Sequence, residues 1–420
     1  MSCGTPYAVL SEFAPSSERS RAISEVGVLG LVPDEWHWQW QPRHQVMTRL
    51  ARYFNVLWMN PAREWRQSFH SSVLRAPSQE TPISGRAFVV HTSSPFLPVV
   101  YRPGWLATAF LRKRLQHARE ILVKRGCKKI VLYLWRPEFA GALDLMAADL
   151  VCYHIDDEYS FSDVDAPTPE NEERLIARAG QVFIHSPALL EKKGKINPRT
   201  CFVPNGVDFN SFALPVPEPP DMAAIPRPRV GYTGHLKRQL DWPLLLGLAT
   251  RHPEWSFVFV GAPNQHPEIA AYIEQLSRIK NAHFLGSKTA QELSRYPQHF
   301  DVCVMPYRLD GYTRYIYPLK LHEYLASGRP VVGTPIASLL PFREVLALPE
   351  SADQWSSAIS DALSPFANTP GRQAARQALA KQHDWEHVVL RVASSIAQRL
   401  GRPYADHFQE PEGALRTFQN

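Results

Sequence analysis

Residues 317–334, YPLKLHEYLASGRPVVGT, read as a short helix that runs into a buried strand. Pro318 suits a first helical turn, where its missing N–H costs nothing, Gly328 suits a left-handed exit, and Pro330 blocks continuation. Leu321, Tyr324 and Leu325 share one helical face, while Lys320, Glu323 and Ser327 share another. The pattern predicts one face packed on a sheet and the other offering a cation and a carboxylate to a cleft. A helix N-terminus aimed at a cleft attracts anions, because its first N–H groups are unpaired and the macrodipole is positive there. Lys320 reinforces that preference for phosphate, and Glu323, one turn later, is placed to accept hydrogen bonds from ribose or sugar hydroxyls. Taken alone, the stretch also fits an ordinary helix of an α/β sheet.

Around it lies an alternation of apolar strands and amphipathic helices. Strands are expected at Arg229 to Thr233, Ser256 to Val260, His283 to Leu285, Phe300 to Met305 and Val331 to Gly333. Helices are expected after Asp241, near Glu268 to Ile279 and after the capping box Thr289 to Glu292. This half opens with RVGYTGHLKRQLDW, in which Gly231 and Gly234 let the backbone approach a diphosphate and Lys237 and Arg238 follow as candidate cations. Gly261, in VFVGAPN, ends the next strand on the same side. The polar loop PYRLDGYTRYIYP carries Asp310, Thr313 and Arg314, with Arg314 as its candidate anion contact.

The earlier half repeats the alternation. Strands are expected at Glu25 to Val32, Asn55 to Met59, Arg86 to His91, Lys129 to Leu134, Leu150 to Ile155, Gln181 to Ile184 and Cys201 to Val203. They are apolar throughout, which implies a parallel sheet covered on both faces and ligands at the carboxyl ends of its strands. At one such end stands YHIDDEYSFSD, where Asp156 and Asp157 are candidate catalytic carboxylates, or else turn residues. Strand alternation groups His154 with Asp156 and sets Asp157 apart. Arg43 and Arg136 also follow strands and are candidate substrate contacts or salt-bridge residues. Asp163-Val164-Asp165 spells D-x-D, a match too short to imply a metal. The expected division is a flexible leader at 1–22, a first Rossmann-like domain at 23–212, a Pro-rich linker at 213–228, a second Rossmann-like domain at 229–384 and a tail at 403–420.

The run P-L-K-L-H-E-Y-L-A-S-G-R-P-V-V, with V-P-N-G-V-D from Val203 to Asp208, resembles the GT-B glycosyltransferases, in particular the retaining family-four type. The resemblance implies two facing Rossmann-like, doubly wound domains, the first on the acceptor side and the second binding the nucleotide sugar, and a last helix at about 385–402 crossing back to the first. It implies a nucleotide-diphosphate sugar as donor, a glycan or lipid-linked hydroxyl as acceptor, and no cofactor or metal. On it, Lys320 and Glu323 hold the donor beside the Gly234 loop, where Lys237 or Arg238 stands in for the missing basic pair, with Gly261 and Arg314 as further donor contacts. Arg43 and Arg136 face the acceptor, and Asp156, Asp157 and Glu323 serve the chemistry, the aspartates by orienting the acceptor hydroxyl or stabilising an oxocarbenium-like state. Three family positions are occupied differently: Tyr315 replaces the first of two glutamates, and His235 and Asp241 replace a basic pair. A sugar-nucleotide epimerase of the same fold, or a non-catalytic partner subunit, would share the donor residues.

The net charge of +6 favours anionic ligands, yet no nucleic-acid module is visible. No apolar run approaches the roughly 18 residues that span a bilayer, and the first residues lack a signal-peptide pattern. Five scattered cysteines, Cys3, Cys127, Cys152, Cys201 and Cys303, suit reduced thiols. The expected location is cytoplasmic, and the basic, apolar helix from Trp105 adds peripheral contact with the cytoplasmic membrane face as a further reading.

Overall fold

Strands that are apolar on both sides need cover on both sides, and the computed structural model arranges them accordingly. It describes residues 23–38, 40–66, 79–82, 87–160, 166–263 and 266–408. The leader at 1–22, the Asp163–Asp165 triplet and the end of the tail lie outside the described residues. Strands β1 (Val26–Leu31), β2 (Asn55–Met59), β3 (Gln79–Pro82), β4 (Phe88–Thr92), β5 (Lys129–Leu134), β6 (Leu150–Ile155), β7 (Gln181–Ile184) and β8 (Thr200–Phe202) form one sheet in the order β3-β4-β2-β1-β5-β6-β7-β8. Strands β9 (Arg229–Thr233), β10 (Ser256–Val260), β11 (Ala282–Phe284), β12 (Val302–Met305) and β13 (Val331–Gly333) form a second, in the order β11-β10-β9-β12-β13. Pairing is parallel except for β3, which runs antiparallel to β4. The sequence reading omitted β3 because QETP has no apolar run; as a short edge strand ending in proline it needs none.

Each face of the first sheet is buried in its own apolar cluster, and the second sheet has a third. The helix Trp385–Leu400 belongs to the first sheet, because Trp385, Val388, Val389, Val392, Ala393, Ile396 and Ala397 are buried against it. The chain therefore crosses between the sheets twice, and the crossings meet: Val207 N–H donates to His383 O at 2.9 Å and Trp385 N–H to Val207 O at 2.9 Å. A Cβ on Gly206 would sit 2.8 Å from that His383 oxygen, so only glycine lets the two strands of the junction close. Residues 213–228 are not a loose tether. Met222 and Ile225 enter the second core, and the Arg229 guanidinium donates to the Met222 and Ile225 carbonyls.

The seven-residue helix Lys320–Ala326 begins two residues after Pro318, whose carbonyl accepts the Leu321 N–H in a turn. Leu321, Tyr324 and Leu325 are fully buried on the sheet, while Lys320 and Glu323 are half-buried on the other face. Gly328 leaves the helix at φ +74°, the left-handed exit that Pro330 then makes final.

Gly231 marks where the second core is tightest. An added Cβ would lie 2.2 Å from the Phe300 ring, and Phe300 is itself fully buried. Gly231→Ala is expected to lower stability by about 1–3 kcal/mol, measured by denaturant unfolding.

Candidate functional site

Parallel strands bring their carboxyl ends to one edge, and the two sheets turn these edges toward each other across a cleft. On the second-sheet side two glycines set the geometry. Gly234 has φ +108°, and its N–H donates to Val260 O at 2.8 Å. A Cβ on Gly261 would stand 2.0 Å from the Gly234 carbonyl oxygen, so the ends of β9 and β10 are in backbone contact. A Cβ on Gly234 would meet the Lys320 ammonium at 2.8 Å. Lys320 thus reaches from its helix across the β9 loop, its charge 5.0 Å from the centre of the Tyr232 ring. The docking of that helix fixes this reach, since Thr233 N–H donates to the Tyr324 hydroxyl at 2.8 Å.

Lys237 shares the space. It is open to solvent, yet its pKa is lowered, first by desolvation and then by the Lys320 charge, with Asp157 acting in the opposite sense from the other domain. A side chain in that condition stands in a cleft, wetted but walled. His235 is lowered by desolvation and by the same two lysines. Among the described residues neither Lys237 nor Lys320 has an ion-pair partner. Arg238 is exposed on the same loop. The Glu323 carboxyl accepts no hydrogen bond among the described residues, and burial pushes it up to about 7, with Lys320 pulling it back.

The first-sheet side separates the two aspartates. Asp156 is bound into its own domain: Arg43 stands 3.3 Å from it and 2.9 Å from Asp34, and the Tyr159 hydroxyl donates to it. Arg136 lies 4.7 Å above the Tyr159 ring. The two arginines therefore attend the aspartate pair and its tyrosine. Asp157 instead faces the second domain, taking the Tyr312 hydroxyl at 3.0 Å and its own neighbour's Glu158 N–H at 2.8 Å. Its pKa is raised by desolvation and by Asp156, and Tyr312 holds it back. His154 does not accompany Asp156 into the cleft. It is buried, 4.2 Å from the Trp135 ring and bonded to the Tyr133 hydroxyl at 2.8 Å, and desolvation depresses its pKa to about 3.

Several polar residues of the sequence reading turn out to hold the frame. Asp241 caps the helix Trp242–Arg251, accepting Leu244 N–H at 3.0 Å. Asp310 and Thr313 bond each other within their loop. Arg314 is exposed and reaches across to Glu191 at 3.2 Å, away from the lysines. Tyr315 is buried in the core of the first domain, with Lys192 5.1 Å from its ring, so this loop plugs the opposite domain. Reading by sequence missed Tyr312, Asp34, Tyr159 and His185; the last is buried at the end of β7, bonded to Ile155 O and within the field of both aspartates. The available signal was position, since each follows a strand end or lies in a long cleft loop. Tyr312→Phe should raise the Asp157 pKa by up to about one unit, read from the carboxyl carbon in an NMR titration.

Residues 227–364 match the family of glycosyl transferases group 1. A protein of Bacillus subtilis (strain 168) named as a teichuronic acid biosynthesis glycosyltransferase, TuaH, is 31% identical over 175 residues, which is 40% of this chain and 43% of that relative. The match thus spans less than half of the relative's length. The apo structure of OtsA superposes with a TM-score of 0.63 at 14% identity, covering 89% of this chain and 99% of that one. A trehalose-6-phosphate synthase studied for glycosyl transfer with retention gives 0.63 at 12%, with the same coverage. A UDP-forming trehalose-phosphate synthase from Burkholderia xenovorans gives 0.61 at 12%, again covering 89% and 99%. Residues 227–364 are thus similar to the group 1 glycosyl transferases, and the chain as a whole has the two-domain GT-B fold.

Proposed function

We propose that the chain transfers a sugar from a nucleotide-diphosphate sugar to a hydroxyl of a glycan or lipid-linked acceptor, in the making of cell-surface polysaccharide. The observation that carries this reading is the pair of lysines without ion-pair partners, Lys237 and Lys320, beside the touching backbones of Gly234 and Gly261. Like charges held together in a partly desolvated cleft repel, and a diphosphate relieves that repulsion. Negative charge grows on the leaving diphosphate as the glycosidic bond breaks, so fixed cations stabilise the transition state more than the bound substrate. The half-buried Glu323 carboxylate would accept hydrogen bonds from ribose or sugar hydroxyls. Asp157, presented toward the second domain and not neutralised by an arginine, is the better placed of the two aspartates to orient an acceptor hydroxyl. Asp156 then acts by holding Arg43 and Tyr159 in the wall behind it. Closure of the cleft would exclude water.

Retention of anomeric configuration, a metal-independent reaction and peripheral contact with the cytoplasmic membrane face belong to the same proposal. The first draws support from the retaining trehalose-6-phosphate synthase of the same fold.

A thermal-shift panel of nucleoside diphosphates tests the donor site, since a ligand of the folded state alone raises the melting temperature. One diphosphate should raise it. Lys320→Ala should weaken that ligand by about tenfold or more, the worth of one charged hydrogen bond, and Glu323→Ala should reduce transfer. A protein that responds to no nucleotide would remove the assignment, and binding without transfer to any acceptor would make the chain a non-catalytic partner.

His235 adds a pH dependence. Its pKa is lowered in the empty protein, and a bound diphosphate stabilises the protonated ring and raises it. Affinity for the diphosphate should therefore tighten as pH falls through the range between the empty and bound pKa values. His235→Ala should flatten that profile in a calorimetric titration.

A further inference from the structure

Strands β6 and β7 run side by side and parallel, with Ile155 opposite Ile184, so the residues that follow, Asp156 and His185, stand at one level of the cleft edge. The Ile155 carbonyl receives the His185 backbone N–H at 3.3 Å and lies 3.1 Å from Nδ1 of the same residue. A carbonyl oxygen only accepts, so Nδ1 carries the ring proton and, in the neutral ring, Nε2 carries the lone pair. One bond to the main chain thus decides the tautomer. Desolvation keeps the ring neutral, lowering its pKa against the opposite pull of Asp156 and Asp157. On the other side Ser186, fully buried, accepts Leu189 N–H at 3.3 Å and caps the helix Pro187–Lys193. The ring is therefore held from both the strand and the helix.

The lone pair is not spent inside the fold. Among the described residues Nε2 bonds to nothing, yet it is not shut away from solvent as the unpaired ring nitrogens of His44 and His322 are, although His185 as a whole is only 4% exposed. Neither aspartate forms an ion pair with the ring, while both are near enough for their charge to act on it. Among the described residues no group of three His, Cys, Asp or Glu side chains could hold a metal ion, so the lone pair is left for a hydrogen bond. A fixed, neutral acceptor selects a donor without charge. An anion would meet the field of Asp157 beside it, whereas a hydroxyl offers the proton that the lone pair needs.

We propose that His185 Nε2 accepts a hydrogen bond from a sugar hydroxyl next to the one that Asp157 orients, so that the preferred acceptor presents two adjacent free hydroxyls. That this sugar is the acceptor rests on the transferase reading; the hydroxyl contact itself does not. Protonation of the ring puts a donor where an acceptor is needed, so affinity for the sugar falls as pH drops through the His185 pKa, which lies below the ordinary histidine range. Asp156, Asp157 and His154 are the titratable groups in the field of the ring, with Arg43 paired to Asp156. Asp157 also loses charge in acid, so the histidine's part of the profile is the part that a His185 variant removes.

Ligand-observed NMR of the full chain with methyl glucoside, methyl galactoside, methyl mannoside and their monodeoxy forms tests the contact. At least one glycoside should bind, and removal of one of its hydroxyls should weaken it. His185→Asn keeps a donor for the Ile155 carbonyl but has no acceptor at the Nε2 position, and should weaken the intact glycoside about three- to tenfold, the worth of one hydrogen bond. The weakened monodeoxy form should lose nothing further in that variant. His185→Gln, whose amide oxygen reaches the Nε2 position, should restore most of the affinity and remove the histidine's part of the pH profile. The nucleotide thermal shift should be unchanged in both. A wild-type protein that takes none of the glycosides, equal affinity in the Asn variant, or equal loss in both variants, the mark of a structural role, overturns the proposal. So does a ¹⁵N spectrum that puts the proton of the neutral ring on Nε2. Glycoside binding that depends on His185, in a protein whose melting responds to no nucleoside diphosphate, would sink the transferase reading and leave the sugar contact standing.

Discussion

Two ammonium groups held near each other in a cleft are the constraint on which the rest of the molecule turns. Lys320 opens its helix and Lys237 stands on the loop after β9, where it lies in the Lys320 field, and neither has an ion-pair partner among the described residues. Such an arrangement costs free energy in the empty protein. It persists because each lysine is set by packing elsewhere: Lys320 by the burial of Leu321, Tyr324 and Leu325, and Lys237 by the Trp242 indole, which donates to its carbonyl at 3.0 Å. The glycines then let the backbone come close enough that a diphosphate would meet both main chain and charge.

The facing wall solves a different electrostatic problem. Two adjacent carboxylates at one strand end repel, and the fold separates them by partner. Asp156 is neutralised by Arg43 and bonded to Tyr159, while Asp157 is left with a tyrosine from the other domain and a raised pKa. Tyr312 is thus a neutral contact spanning the cleft, a kind that can be made and broken without stranding a charge. Behind this wall, Lys193 is fully buried against Glu158 and Glu172, tying the segment that follows Asp157 to the two neighbouring helices. Breaking such a buried cluster at one member is costly, so the position of the aspartates is stiff.

The two halves are joined by a short double crossing at Val207 and Asp384, not by a broad linker. The plug formed by Tyr315 and the bond from Asn205 Nδ2 to Tyr317 O at 2.7 Å place the loop before Lys320 against the first domain. Movement between the domains would therefore be felt at the lysine end of the cleft.

What the sequence determined by itself was whatever local pattern encodes. The all-apolar strands, the helix faces at Leu321 and Lys320, the Thr289 cap and the glycine exits were legible because period, capping and backbone freedom act within a few residues. Long-range pairing decided the rest. Nothing local says that Asp156 should meet Arg43, that Asp157 should turn to Tyr312, that Tyr315 should bury itself in the other domain, or that Arg314 should leave the lysines for Glu191. Asp241 carried the same ambiguity, since an N-cap and a cleft residue look alike in one dimension. The edge strand β3 was invisible because it takes its stability from β4 and not from its own side chains. The tertiary structure settled these points because a side chain's charge state and partner depend on what lies within a few ångströms in space, which the order of residues along the chain does not specify.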